Sequence, residues 1–197
     1  MANTCCNSIR IDGPAADLKK IHAAALAAQN ENSVEKSDLY RMLERLGATE
    51  ERLEGIRCRE DFTGGPVEYD EETETVVIES ESANSFQHDA WQLVKQMFPK
   101  VSIYYRADEP GNMLFVTNDA SGVHFHTKLR VDWSTADGDG EIAYLDDPDE
   151  FVPYIKKNIN PTVETEEQAR LALAALEDED GCGVLTEIDY DESSALL

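Results

Sequence analysis

The sequence has few basic residues, few cysteines and no long apolar run, and each shortage excludes a class of protein. It contains 17 lysine and arginine residues against 41 aspartate and glutamate residues, which gives a net charge of −24. Such a chain repels phosphate backbones and anionic lipids, so direct binding to nucleic acid or to a membrane is not expected. No segment approaches the roughly 18 consecutive apolar residues of a transmembrane helix.

The four cysteines are scattered, at Cys5, Cys6, Cys58 and Cys182. They form neither a CxxC pair nor a zinc-ligand spacing. The opening segment MANTCCNSIR lacks the apolar stretch of a secretory signal. We therefore expect a cytoplasmic protein with reduced thiols, in which Cys5 and Cys6 point to opposite faces of a strand.

Acidic residues are concentrated toward the C-terminus. Residues 134–197 contain 18 acidic and 3 basic residues, whereas residues 1–133 contain 23 and 14. The hydrophobic fraction of 41% is nevertheless that of a globular protein. The acidic third is either an ordinary solvated surface or a surface that binds another protein, and a basic partner would fit it.

Apolar periodicity predicts the elements of the first 118 residues. A strand at residues 4–12 is followed by a helix that begins at Gly13-Pro14. Ser37 and Gly47 are expected to cap and end a second helix, and Thr49 a short third one. A hairpin at residues 67–80, a helix capped by Asn84 or Ser85, and strands at residues 101–106 and 113–117 complete this part.

The remaining residues predict a second set of strands and helices. Residues 123–133 alternate without a break, which predicts one long strand with a polar face. A hairpin partner is expected at residues 141–145. Helices at residues 149–158 and 165–176 and a last strand at residues 184–190 follow.

This order predicts an α+β protein with a largely antiparallel sheet. Residues 1–118 are expected to form a ferredoxin-like β-α-β-β-α-β sandwich with an inserted helical pair at residues 34–58. Residues 119–197 are expected to add an acidic β-β-α-α-β extension, within a single domain that spans residues 1–197.

Two segments also resemble a known family. The opening NTCCNSIRIDG and the later FQHDAWQLVKQMFPKVSIYYRADEPGN are similar to the Api-type ferredoxin-like proteins of phages, plasmids and genomic islands. The matching residues are Asn3, Cys5, Asn7, Phe98, Pro99, Tyr105, Glu109, Pro110 and Gly111. Thr4 replaces the tryptophan of the family, and its Pro-Pro before the later helix is absent. The resemblance covers residues 1–118 and implies a fold and a mobile-element origin, with no catalytic residues.

His124 and His126 are candidate metal ligands. On a strand, residues i and i+2 share a face, which is a common half-site for zinc or another transition metal. A third ligand would come from elsewhere, and His88, Asp132 and Cys182 are candidates. Lys128 and Arg130 lie on the same predicted face and disfavour a cation, so a solvated face or a basic stripe paired with the protein's own carboxylates is the alternative.

Four carboxylates suggest a calcium-binding loop. Asp137, Asp139, Glu141 and Asp146 follow Thr135 with spacings that partly match an EF-hand. Thr135 stands at the first ligand position, where an aspartate is usual, and a strand precedes the loop. An ordinary hairpin turn explains Asp-Gly-Asp-Gly equally well.

No catalytic motif is present in the sequence. It contains no GxSxG, no GxxxxGK[ST] and no GxGxxG after a strand. We predict no catalytic residue and no cofactor. Three hypotheses follow: a non-enzymatic module that binds another protein, an acidic mimic of DNA that occupies a basic nucleic-acid-binding protein, and a metal-binding module or hydrolase that uses His124 and His126.

Overall fold

The computed structural model describes residues 3–31, 35–178, 181–192 and 197. The first alternating segment of the sequence forms strand β1 at Thr4–Asp12. Cys5, Ile9 and Ile11 on one face of this strand are fully buried. The prediction for this strand is confirmed. It lies in the middle of the larger of two antiparallel sheets and pairs with a strand on each side.

The larger sheet has seven strands. Besides β1, they are β2 Glu60–Asp61, β3 Glu68–Asp70, β4 Thr75–Ala83, β5 Ser102–Glu109, β6 Leu114–Thr117 and β10 Asp189–Tyr190. Their order is β10-β6-β5-β1-β4-β2, and β3 also pairs with β4. The pairs β1–β4, β1–β5, β2–β4, β3–β4 and β5–β6 are antiparallel.

Four helices accompany this sheet: α1 Ala15–Gln29, α2 Asp38–Arg45, α3 Glu50–Leu53 and α4 His88–Met97. Their apolar residues share one core with the inward residues of β1, β4 and β5. The predicted end signals of α2 are confirmed, because the Ser37 hydroxyl accepts a hydrogen bond from the Tyr40 backbone N–H at 3.3 Å and Gly47 adopts a φ of +95°.

Helix α4 begins later than predicted. Asn84 has a φ of +68° and forms two hydrogen bonds with Asn3. The Asn84 backbone N–H donates to the Asn3 carbonyl at 2.8 Å, and the Asn3 N–H donates to the side-chain oxygen of Asn84 at 3.1 Å. Asn84 therefore closes the end of the β1–β4 ladder, and it cannot also cap the helix.

A three-stranded sheet in the order β8-β7-β9 forms the second part of the fold. Two helices pack on it, and their apolar residues form a separate core with Leu129, Val131 and Leu145. The elements are β7 Leu129–Ser134, β8 Gly140–Leu145, β9 Cys182–Glu187, α5 Phe151–Asn158 and α6 Glu166–Asp178.

The prediction of one strand over residues 123–133 is wrong for its first half. Phe125 and Thr127 are buried and His126 is exposed, so the alternation in burial persists. Ladder pairing nevertheless begins at Leu129, where the partners end at Leu145 and Glu187. Lys128 lies just before this ladder: its N–H donates to the Leu145 carbonyl at 2.8 Å, and its carbonyl accepts from the Ile188 N–H at 2.9 Å. Residues 123–128 are not part of a strand.

The predicted last strand is two strands in different sheets. β9 pairs with β7, whereas Asp189–Tyr190 joins the larger sheet as β10. Ile188, which separates them, is buried. The switch depends on the positions of both sheets, which apolar alternation does not encode.

The chain divides into two compact units. Unit 1 comprises Met1–His124 and Tyr190–Leu197, and unit 2 comprises Phe125–Asp189.

The fold is mixed α+β with open, mostly antiparallel sheets. None of the helices within the described ranges has both the length and the apolar character needed to cross a membrane.

Candidate functional site

His124 is held against the end of strand β1. Its Nε2 lies 2.7 Å from the Asp12 carboxylate, which also accepts a 2.8 Å hydrogen bond from the Thr75 hydroxyl. The Tyr104 ring lies 4.8 Å from the imidazole. The His124 backbone N–H donates to Asp119 at 2.7 Å. His124 thus anchors the segment after β6 to the sheet.

His126 does not share a strand face with His124, because residues 123–128 are not part of a strand. Of the predicted third ligands, His88 lies 3.4 Å from Asp191, and burial lowers the pKa of its imidazole. Asp132 and Cys182 lie on β7 and β9. Within the described part of the chain, no three His, Cys, Asp or Glu side chains are grouped to hold a metal.

The four carboxylates of the calcium-like loop are not brought together. Asp137 and Asp139 lie in the β7–β8 turn, Glu141 lies in β8, and Asp146 follows the other end of that strand. β8 is about 20 Å long at the usual rise per residue, whereas calcium ligands lie about 2.5 Å from the ion. Asp146 instead accepts a hydrogen bond from the Thr127 hydroxyl at 3.1 Å.

A buried carboxyl group, which the sequence did not reveal, lies in unit 1. Glu60 on β2 has no exposed surface. The Ser80 hydroxyl donates to it at 2.8 Å, and the Trp91 indole N–H donates at 3.2 Å. Burial raises the pKa of Glu60 from 4.5 to about 7, although these hydrogen bonds and one from the Gln87 backbone oppose the shift.

Asn7 extends this network into strand β1. Its side-chain amide donates to Ser82 at 2.9 Å and approaches Ser80, and its oxygen lies 3.3 Å from the Cys5 thiol. Burial raises the pKa of Cys5 to about 12, so the thiol stays protonated at neutral pH. All four cysteines are free thiols. The network holds β1, β2 and β4 together and is enclosed by the core.

The surface of unit 2 is strongly acidic. The unit contains 17 acidic and 5 basic residues, a net charge of −12 over 65 residues. Among its 14 acidic side chains whose burial is described, 13 are exposed. Its basic side chains are few: Arg130 is 1% exposed, and Lys156 and Arg170 form ion pairs with Glu164, Glu166 and Glu187.

Strand β8 combines this charge with apolar side chains. It lies at one end of the three-stranded sheet, and its Ile142 and Tyr144 side chains are 46% and 43% exposed. Carboxylates lie at both ends of the strand. They are Asp137, Asp139, Glu141, Asp146, Asp147, Asp149 and Glu150, all of them exposed. We call these seven residues together with Gly140, Ile142, Ala143, Tyr144 and Leu145 the β8 surface.

A short chain of hydrogen bonds fixes the position of Glu141 within this surface. The Trp133 indole N–H donates to the Tyr154 hydroxyl at 2.8 Å, and that hydroxyl donates to Glu141 at 2.5 Å. Burial and the bond to Glu141 raise the pKa of Tyr154 to about 12, so the hydroxyl remains a donor at neutral pH. Strand β8 is thereby tied to β7 and α5 on its helix-covered face.

Comparison of the chain with protein-family models, with curated proteins and with solved structures gave no significant match. The β8 surface is therefore assigned as the candidate site on its geometry and charge.

Proposed function

We propose that the protein is a non-enzymatic interaction module that binds a basic region of another protein through the β8 surface. The observation that supports this function is the exposure of 13 described carboxylates on unit 2 around a strand with two exposed apolar side chains. Acidic residues keep a chain soluble wherever they lie. Exposed Ile142 and Tyr144 among them give the same surface apolar area to bury, and aromatic residues are enriched at protein interfaces.

The negative charge of unit 2 affects both the rate of association and the choice of partner. A negative surface attracts a basic partner during diffusion and repels acidic competitors, with an effect that weakens as salt increases. The ion pairs of Lys156 and Arg170 involve Glu164, Glu166 and Glu187, so they neutralise none of the carboxylates of the β8 surface. The partner we propose is thus rich in lysine and arginine.

We also infer that unit 1 is a ferredoxin-like sandwich of the Api type, with the origin on a mobile element that this family implies. In support, β1 lies between β4 and β5, antiparallel to both, and α1 and α4 follow β1 and β4 along the chain. Two residues of the resemblance have structural roles. Asn7 belongs to the buried network, and the Glu109 carboxylate accepts hydrogen bonds from the backbones of Gly111 and Asn112.

The proposed function is tested by neutralising carboxylates in two places and measuring the binding of a fluorescent lysine- and arginine-rich peptide by anisotropy. Both variants raise the net charge by four. One changes the β8 surface, with Asp137→Asn, Asp139→Asn, Asp149→Asn and Glu150→Gln. The control changes exposed residues of unit 1, with Glu51→Gln, Glu54→Gln, Glu71→Gln and Glu72→Gln.

We expect the β8-surface variant to bind about tenfold more weakly at about 50 mM NaCl and the control to bind within about twofold of the parent. The reason is that nearby charges dominate the attraction, whereas charges beyond a Debye length of about 10 Å are screened. Equal losses in the two variants would show that the peptide responds to net charge alone, and the proposed site would then be wrong.

A further inference from the structure

The backbone of β8 suggests how the basic partner binds, an inference that rests on the proposed function. Among the residues that the structure describes, β8 pairs with β7 alone and ends the order β8-β7-β9. The opposite edge strand, β9, is half-buried over most of its length and exposes no large apolar side chain. Of the two edges of this sheet, β8 is the accessible one.

The register shows which backbone groups of β8 face outward. The Thr135 N–H donates to the Asp139 carbonyl at 2.7 Å, and Ser134 then pairs with Gly140 and Trp133 with Glu141. Hydrogen-bonded pairs alternate along an antiparallel ladder. Glu141 and Ala143 therefore direct their backbone N–H and C=O groups toward β7. Gly140 and Ile142 direct theirs toward the outer edge.

Edge strands normally carry features that prevent pairing with another chain, such as proline, lysine or a bulge. Gly140–Leu145 contains neither proline nor lysine, and its six residues are in continuous register with β7. The carboxylates at its ends oppose pairing with a second copy of this chain, because self-pairing would bring like charges together. They favour a partner strand with basic residues.

We propose that a basic segment of the partner adds to β8 as an extended antiparallel strand. Its residues opposite Tyr144 and Ile142 would be apolar and would cover those exposed side chains. Its residues opposite Asp146, Glu141 and Asp139 would be lysine or arginine. The segment would read basic-x-apolar-x-apolar-basic-x-basic from its N-terminus, since cross-strand neighbours on one face contact each other.

The probe is the labelled peptide Lys-Thr-Val-Thr-Val-Lys-Thr-Lys, compared with a scrambled peptide of the same composition. Two N-methylated forms test the backbone. Methylation of the third and fifth residues removes donors that face β8, whereas methylation of the fourth and sixth removes donors that face away. We expect the first form and the scrambled peptide to bind about tenfold or more weakly than the parent, and the second form to bind within about threefold.

A change in the protein provides a second test. Ile142→Pro removes an N–H that faces the outer edge, and proline is tolerated at such a position on an edge strand. Ile142→Thr is the matched control, since it keeps the N–H and favours a strand. We expect the proline variant to lose binding about tenfold and the threonine variant to lose much less. Circular dichroism and thermal unfolding establish that both variants are folded.

The outcomes separate this inference from the proposed function. If the parent, scrambled and both methylated peptides bind equally and the four-carboxylate variant weakens them all, the β8 surface binds basic segments without strand addition and this inference is wrong. If none of the peptides binds even at low salt, the proposed function fails as well. Strand addition is supported if binding is lost only when the N–H groups of the third and fifth peptide residues, or the N–H of Ile142, are removed.

Discussion

At the scale of single residues, Glu60 is the group with the most distinctive environment. Its carboxyl group has no exposed surface and is held by the Ser80 hydroxyl and the Trp91 indole. The charge of Asp61 also raises the pKa of Glu60, and the charge of Glu60 in turn raises the pKa of the Cys58 and Cys5 thiols. Because its pKa is raised from 4.5 to about 7, the folded protein binds a proton more tightly than the unfolded chain does.

The contribution of Glu60 to stability is therefore greatest below about pH 4.5 and is lost as the pH rises through about 7. The full change is about 3 kcal/mol, because the pKa of Glu60 rises from 4.5 to about 7 and each pKa unit corresponds to about 1.36 kcal/mol. Urea unfolding of the parent and of Glu60→Gln between about pH 5 and about pH 8 measures it. We expect the parent to lose stability relative to the variant over this range. Parallel curves for the two proteins would contradict the assignment.

At the scale of elements, Ser37 connects the start of α2 to the segment before β2. Its hydroxyl accepts from the Tyr40 N–H and donates to the Cys58 carbonyl. We expect Ser37→Ala to lower the free energy of unfolding by about 1 kcal/mol, because a helix N–H and a carbonyl lose their partner. Ser37→Asp restores the cap without the donor, so it should recover part of the loss. Identical urea midpoints for Ser37→Ala and the parent would show that the cap contributes nothing.

Elements with strong local signals were predictable from the sequence. The alternation of β1 and the Ser37 and Gly47 signals of α2 depend only on neighbouring residues. β2 was missed because it is two residues long and buries a glutamate, which apolar periodicity does not mark. Residues 123–128 have strand-like alternation but are not part of a strand, because the pairing of β7 with its neighbours begins only at Leu129.

The candidate site was predictable only in part for a similar reason. The acidic residues around 137–150 and the strand at 141–145 are visible in the sequence. Whether that strand lies at the edge or in the middle of a sheet depends on the order β8-β7-β9. This order arises because β9, which follows α6 along the chain, pairs with β7 and not with β8. Ile142 and Tyr144 alternate with Ala143 and Leu145, which pack in the core of unit 2, so their exposure also depends on which face of the strand the helices cover.

At the scale of the whole molecule, the negative charge is shared unequally for the size of the two units. Each carries a net charge of −12, but unit 2 has 65 residues and unit 1 has 132. The density of charge is thus about twofold higher on unit 2, which therefore attracts basic molecules more strongly than unit 1 does. This asymmetry, together with an accessible strand edge, is the basis of the account.

Amide hydrogen exchange of the protein, with and without the peptide Lys-Thr-Val-Thr-Val-Lys-Thr-Lys, measures whether a basic strand adds to β8. Amides that gain a hydrogen-bonded partner exchange more slowly. We predict that added protection is confined to fragments that cover β8 and its flanking turns, with Gly140 and Ile142 the most affected. Protection centred on unit 1, or none while the peptide is bound, would show that the peptide does not add to β8.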